Sequence, residues 1–292
     1  MTEHKKTLVE NDDSEWDIVI EPRANLLDIK IKDIWHYRDL LLLFVKRDIT
    51  AQYKQTVLGP LWHFIQPVFT TIVFVMVFGK IANIPTDGIE PVLFYMSGIT
   101  IWNYFSSCLN ATSGTFVANA GIFGKVYFPR LVIPLSTVMS NVIKFGIQFL
   151  LLVIVIGYYG IKSHSFHFGA SWLLVPLLVV TMAAIGLGLG IIISSLTTKY
   201  RDFTVLIGFA VQLLMYATPV AYPLSYLQDK SFINIIKYNP LTPIVEAFRF
   251  ALFGRGSLDI VHLIYSGGFI VIVLFIGLLV FGKVERTFMD TV

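Results

Sequence analysis

The chain has 292 residues, of which 55% are hydrophobic and only 14% charged, and its mean hydropathy of +0.73 lies outside the soluble range, so it reads as an integral membrane protein. The net charge of +3 is small and its cations gather at the ends of apolar segments, a pattern that excludes a basic face and makes nucleic acid no partner. Cys108 is the single cysteine, so neither an intrachain disulfide nor a cysteine metal cluster is available.

Residues 1–33 form a polar, acidic tail without an apolar stretch after a basic start, so no cleavable signal peptide is expected. Within it, residues 16–20 alternate like a short strand before Glu21-Pro22. Residues 34–59 read as an amphipathic helix along the inner membrane surface. Its apolar face carries Ile34, Tyr37, Leu41, Phe44, Val45 and Ile49, and Asp39, Lys46, Thr50 and Lys54 oppose them. Arg38 and Asp48 interrupt the apolar arc, and the alternative is a helix of a soluble N-terminal domain.

A span needs roughly 20 apolar residues. The permease body, residues 60–282, offers six: 61–78, 92–117, 131–159, 171–196, 203–226 and 260–281. The fold class expected is therefore an all-α membrane bundle of six spans. Residues 231–253 are apolar but broken by Pro240, Pro243, Glu246 and Arg249, and read as a pair of short re-entrant or interfacial helices. Lys46, Arg47, Lys54, Lys125, Arg130, Lys199, Arg201, Lys283 and Arg286 fall on one side, which puts both termini, including the tail 283–292, in the cytoplasm. Lys230, Lys237, Arg249 and Arg255 on the far side weaken the bias.

No glycine-rich loop ends in Gly-Lys-Ser or Gly-Lys-Thr, so the chain carries no such ATP site and is expected to be no enzyme. The spans hold no Asp or Glu away from their ends, which argues against an ion-coupled carrier. Lys144 is the one deep charge, about 14 residues beyond Arg130 and so roughly 21 Å in. It either attracts a phosphate or acidic sugar, snorkels to an interface, or pairs with a carbonyl. His63, His164, His167 and His262 sit at span ends or in loops and are read as structural, with no metal site.

The second expected span carries Asn103, Ser106, Ser107, Asn110 and Ser113 on one stripe, which lines a wet conduit or supplies hydrogen bonds between helices. Trp62, Gln66 and Phe69 share a face, as do Phe209, Gln212 and Tyr216; with Tyr104, rings beside amides suit sugar rings, and packing is the alternative. Gly186 and Gly190 have the small-xxx-small spacing of close helix contact. Pro219 and Pro223 should kink or end the fifth span, while Glu246 and Arg249 can pair, at least as a modest surface ion pair. The turns at 124–130 and 199–202 read as places where the bundle meets a motor on another chain.

Several motifs together resemble a known family. They are Arg38-Asp39, Arg47-Asp48-Ile49, Tyr53-Lys54-Gln55-Thr56-Val57-Leu58-Gly59 with Trp62 and Gln66-Pro67, and Lys125-Val126-Tyr127-Phe128-Pro129-Arg130. Tyr200-Arg201-Asp202, Pro219 with Tyr222-Pro223, Asn239-Pro240, Glu246, Phe248, Arg249 and Glu285-Arg286-Thr287-Phe288 follow in order. From Ile20 onward the chain resembles permease subunits of ABC transporters that export lipid-linked polysaccharides, such as O antigen, across the bacterial inner membrane.

The resemblance implies a homodimer with two ATPase subunits that bind ATP and Mg, this chain binding no cofactor itself. It implies that Arg38, Asp39, Arg47, Tyr127, Phe128, Pro129, Arg130, Tyr200, Arg201 and Asp202 couple to the ATPase. Residues 231–253, with Pro240, Glu246 and Arg249, would gate the exit. Lys144 departs from the often acidic residue at that place and inherits no role. O antigen, capsule and teichoic acid substrates stay open. So do an ABC exporter of small amphiphiles and a non-transporting scaffold of a glycan synthase.

Overall fold

The computed structural model describes residues 31–54, 56–123, 128–163, 169–198, 200, 202–227, 233–256 and 258–288. The strand-like stretch at 16–20 lies outside them, as does most of the tail 1–33. Among the described residues there is no β-strand. The helices are α1 (Ile31–His36), α2 (Arg38–Tyr53), α3 (Trp62–Phe74), α4 (Pro91–Ser113), α5 (Thr115–Phe123) and α6 (Val132–Ser163). They continue with α7 (Leu174–Thr197), α8 (Phe203–Tyr216), α9 (Ile233–Lys237), α10 (Thr242–Phe253) and α11 (Ile260–Phe288).

Among the described residues, four helical stretches are long and apolar enough to cross a membrane: Gly59–Ile81, Val132–Lys162, Ala170–Thr197 and Ile260–Val284. The shortest has 23 residues, about 34 Å at 1.5 Å per residue against a hydrocarbon core of about 30 Å. The first is composite, a 3-10 turn at Gly59–Leu61 followed by α3 and a π-helical stretch at Val75–Ile81. Gly59 turns the chain into it at φ +48°, a left-handed conformation that a side chain would strain.

The other two expected spans differ in kind. α4 also has 23 residues, but polar groups from Ser97 to Ser113 dilute its hydropathy, and protein covers it where lipid would otherwise have to. Residues from Leu93 to Trp102 are all buried, and α3, α6, α7, α8 and α10 pack around the helix. It ends at Ser113, short of the expected 117. α8 has only 14 residues, about 21 Å, against the expected 203–226. Pro219 explains the stop, because it has no N–H to donate and disfavours helical geometry at Thr218. The chain turns instead, Val220 N–H donating to the Thr218 carbonyl at 2.6 Å, and reaches a 3-10 turn at Leu224–Leu227. Within the expected 231–253 segment, α9 and α10 form the pair of short helices that the prolines demand.

The glycines of α7 set the spacing of the bundle. A Cβ at Gly186 would lie 2.9 Å from Cys108 Cβ, and one at Gly190 2.6 Å from Thr112 Cβ, both on α4. Gly188 points the other way, where a Cβ would lie 2.8 Å from Val273 on α11. Two backbones thus approach α7 on opposite sides, and close packing supplies the attraction that apolar surface cannot provide in lipid.

Two apolar clusters divide the molecule. The larger joins α4, α6, α7 and α10. The smaller gathers Phe44, Phe116, Phe123, Phe128, Val132, Ile133, Ile191 and Phe281, and so brings α2, α5, the start of α6 and the ends of α7 and α11 to one pole. At the opposite pole Ser171 donates to the Ala251 carbonyl at 2.9 Å and Ser266 to that of Pro240 at 2.7 Å, tying α10 and its preceding turn to α7 and α11.

Candidate functional site

At the first pole the turn before α6 is folded inward. Phe128, Pro129 and Arg130 are all buried, although the coupling role implied by resemblance would have them face a partner. The Arg130 guanidinium lies 5.4 Å from the Phe123 ring centre, and the Phe128 ring lies 6.0 Å from Phe123 and 5.7 Å from Phe44 of α2. Apolar rings around a cation's face offset its desolvation, which is why the motif interleaves them. Arg47 sits 4.7 Å over the buried Phe44 ring and bonds Asp48 at 2.8 Å.

What this pole does expose is Arg38 and Asp39, which are 3.9 Å apart, with Tyr200 and Asp202 before α8. Tyr127 and Arg201 lie outside the described residues. The amphipathic pattern of α2 is incomplete, since Phe44 and Val45 are buried while Leu42 and Leu43 face outward.

The aromatic and amide faces behave as a set. Trp62, Phe69, Phe209 and Tyr216 are 53%, 65%, 60% and 52% exposed, and Gln66 and Gln212 are exposed with them. The helices that carry them, α3 and α8, both pack on α4. On α4, Asn110 is exposed and donates to Ser106 Oγ at 3.2 Å, while Asn103, Ser106 and Ser107 are half-buried. Asn141 of α6 donates to the Ser107 carbonyl at 3.3 Å, so the stripe also bonds helix to helix. One stripe member, Ser113, and the separate conduit candidate Tyr104 turn inward. Tyr104 is 3% exposed with its ring 5.1 Å from Phe145, and Ser113 is buried, its carbonyl accepting from Thr197 Oγ1 at 2.9 Å. Tyr104 lies one residue, a rotation of about 100°, from Asn103 and so faces the protein interior rather than the stripe. Lys144 is half-buried on α6, with Asp48 and Cys108 as electrostatic neighbours.

At the opposite pole Glu246 and Arg249 pair at 3.1 Å, but deep in the protein and not as a surface pair. Arg249 also donates to the carbonyls of Pro219 at 2.6 Å and Val220 at 2.7 Å, and lies 3.8 Å from the Phe94 ring centre. One side chain therefore joins α10, α4 and the turn that ends α8. Gly98 makes room for it: a Cβ there would meet Arg249 Nη2 at 2.8 Å and the Val220 carbonyl at 2.9 Å. The spacing of Glu246 and Arg249 was legible, but neither the Pro219 and Val220 carbonyls nor Gly98 carried any signal of this contact.

Beside Glu246 opens a cavity of about 390 Å³ lined by Asp87, Leu224, Ser225, Lys237, Thr242, Pro243, Glu246, Gly256, Asp259 and His262. Pro240, expected with the gate, is half-buried and accepts from Ser266 as described above. Among the described residues no His, Cys, Asp and Glu come together to hold a metal ion.

Comparisons with known proteins find membrane transport proteins. O-antigen export system permease protein RfbA of Klebsiella pneumoniae is 29% identical over 268 residues, 90% of this chain and 99% of that protein. A protein of the same name from Myxococcus xanthus is 28% identical over 222 residues, covering 75% and 82% of the two chains. The polysialic acid transport protein KpsM of Escherichia coli is 24% identical over 252 residues, 84% of this chain and 93% of that one. The ABC-2 type transporter profile matches residues 39–253, from the start of α2 to the end of α10, and the chain belongs to this family of membrane proteins.

Proposed function

We propose that the chain is the permease of an ABC transporter that moves a lipid-linked polysaccharide, O-antigen-like in class, from the cytoplasmic to the outer face of a bacterial inner membrane. The names of its relatives support the substrate class. In this reading α4 and α8 complete a set of six membrane segments, α2 rests on the cytoplasmic surface, α9 and α10 re-enter from outside, and both termini are cytoplasmic. Two copies face each other, and two separate ATPase subunits supply ATP hydrolysis, this chain having no nucleotide loop of its own.

The observation that carries the transport reading is the outward set of Trp62, Gln66, Phe69, Phe209, Gln212 and Tyr216 on two helices that border the half-buried polar stripe of α4. Lipid rewards neither amides nor a polar stripe, whereas a glycan stacks on rings and bonds to amides. ATP binding closes the partner dimer, which presses on α2, Tyr200 and Asp202. Because Phe44 packs on Phe128, movement of α2 passes through the buried Phe128 to Arg130 turn into α6.

Depleting the protein in its native cell and assaying polyprenyl-linked glycan on each membrane face tests the function. Completed glycan should accumulate on the cytoplasmic face and vanish from the surface. Normal glycan on both faces, with new sensitivity to small toxic amphiphiles, would replace it with small-amphiphile efflux.

A further inference from the structure

The cavity beside Glu246 opens to the surface and sets polar side chains into a largely apolar wall, unlike a closed packing defect. Its floor is made of buried groups, Thr242, Pro243 and Glu246, and its rim of exposed ones, Asp87, Ser225, Gly256 and Asp259. A packing void in a protein interior is apolar and lined by side chains that lost their neighbours. Here seven of the ten wall residues carry a hydrogen-bonding side chain: carboxylates on Asp87, Glu246 and Asp259, hydroxyls on Ser225 and Thr242, an ammonium on Lys237 and a ring on His262.

The buried carboxylate is held in place and left open on one side. Glu246 Oε1 is fixed by Arg249 at 3.1 Å. Toward the cavity, a Cβ at Gly256 would lie 3.6 Å from Glu246 Oε2, and Gly256 has φ +108°, which only glycine adopts without strain. The position of the cover is thus occupied by the one residue that has none. The rim is braced independently: Ser225 donates to Asp87 Oδ1 at 2.6 Å, and Arg255, next to Gly256, donates to the carbonyl of Gly88, next to Asp87.

We propose that this cavity binds a neutral, hydroxyl-rich sugar unit of the glycan at the outer pole. At about 390 Å³ it falls within the range of ligand pockets, roughly 300–1,000 Å³, and accommodates about one or two pyranose rings. Fixed carboxylates accept hydrogen bonds from sugar hydroxyls, and Lys237 donates to hydroxyl or ring oxygens. With Glu246 neutralised by Arg249, the remaining charges, Asp87 and Asp259 against Lys237 and Arg255, balance, and a site without net charge suits a neutral sugar. A divalent cation is the other ligand that carboxylates attract, but the described residues converge on no metal-holding group. Such a site would hold the emerging chain beside the α9 and α10 pair, and the ligand assignment rests on the glycan-export reading.

The test uses the full-length protein in lipid nanodiscs and saturation-transfer NMR. The probes are glucose, galactose, mannose and N-acetylglucosamine, with glucuronic acid as the anionic control. Ser225→Trp fills the mouth from an exposed position, and Val271→Trp on the exposed face of α11 is the control. At least one neutral sugar should show transfer that falls about tenfold or more in Ser225→Trp and is unchanged in Val271→Trp. No transfer from any neutral sugar, equal transfer in Ser225→Trp, or preference for glucuronic acid would overturn the site. A silent cavity in a protein whose depletion still strands glycan on the cytoplasmic face would remove this inference alone and leave the export function standing.

Discussion

Arg249 meets Glu246 at 3.1 Å, with side chains 1% and 5% exposed, and the guanidinium then caps two carbonyls of the turn after α8. Burying two charges is costly, and the pair is tolerated because it is hydrogen-bonded on several sides. Truncating one partner strands the other. Arg249→Ala should lower stability by about 3–5 kcal/mol, whereas the double variant Glu246→Gln with Arg249→Met should lose clearly less. Thermal unfolding in detergent measures both, and a single variant no less stable than the double would contradict the clip.

The glycines of α7 and α8 make a matched comparison. Gly190→Ala places a methyl 2.6 Å from Thr112 Cβ and should cost about 1–3 kcal/mol through displacement of α4. Gly208→Ala meets nothing within 4 Å and lies in helix, so it should be neutral or stabilising by up to about 1 kcal/mol. Equal melting temperatures for the two variants would show that α7 and α4 are not in close contact.

Arg130 and Tyr200 should separate folding from coupling. Arg130→Glu puts an anion among the Phe123 and Phe128 rings at a buried position, so it should lower stability by about 2 kcal/mol as well as transport. Tyr200→Ala removes an exposed ring and should leave melting unchanged while ATP hydrolysis continues without export. Normal export by Tyr200→Ala would take that position out of the ATPase contact.

Asp259 makes the start of α11 acid-sensitive. Its carboxylate accepts from the backbone N–H groups of Val261 at 3.0 Å and His262 at 3.2 Å, and from the His262 ring at 2.7 Å. The His262 backbone bond, then its ring bond, holds the Asp259 carboxyl below its usual range. A depressed carboxyl contributes stability that is present above its unfolded pKa and lost as pH falls through the folded one. The protection of the Val261 and His262 amides, taken relative to their intrinsic exchange rates, should therefore fall as pH drops below the ordinary aspartate range, and much less so in Asp259→Asn, whose amide oxygen still caps. Identical pH profiles would remove the cap from the argument.

The residues that could be read ahead of the structure are those whose signal is local. Gly186 and Gly190 announce a close helix contact by spacing alone, and Pro240 with Pro243 announce a broken pair of helices. α4 was legible as a helix, but its role at the centre of the bundle was not, because burial by other helices leaves no periodicity: residues from Leu93 to Trp102 are buried on every side. Pro219 was legible as a breaker, yet hydropathy beyond it extended the expected span past the true end at Tyr216. Arg130 and Arg249 misled for a shared reason. Charge predicts exposure, and only the tertiary fold supplies the rings and carbonyls that make an arginine at home inside.

The claim that the outward faces of α3 and α8 carry glycan is open to direct chemistry. A photo-crosslinking amino acid placed at Trp62, Phe69, Phe209 or Tyr216 in living cells, with Val271 of α11 as an equally outward control, reports what each face touches. Export along these faces predicts glycan-bearing adducts at the four positions during ATP turnover and none at Val271. Lipid adducts alone at all five positions would contradict it, and would place the path of the glycan elsewhere in the molecule.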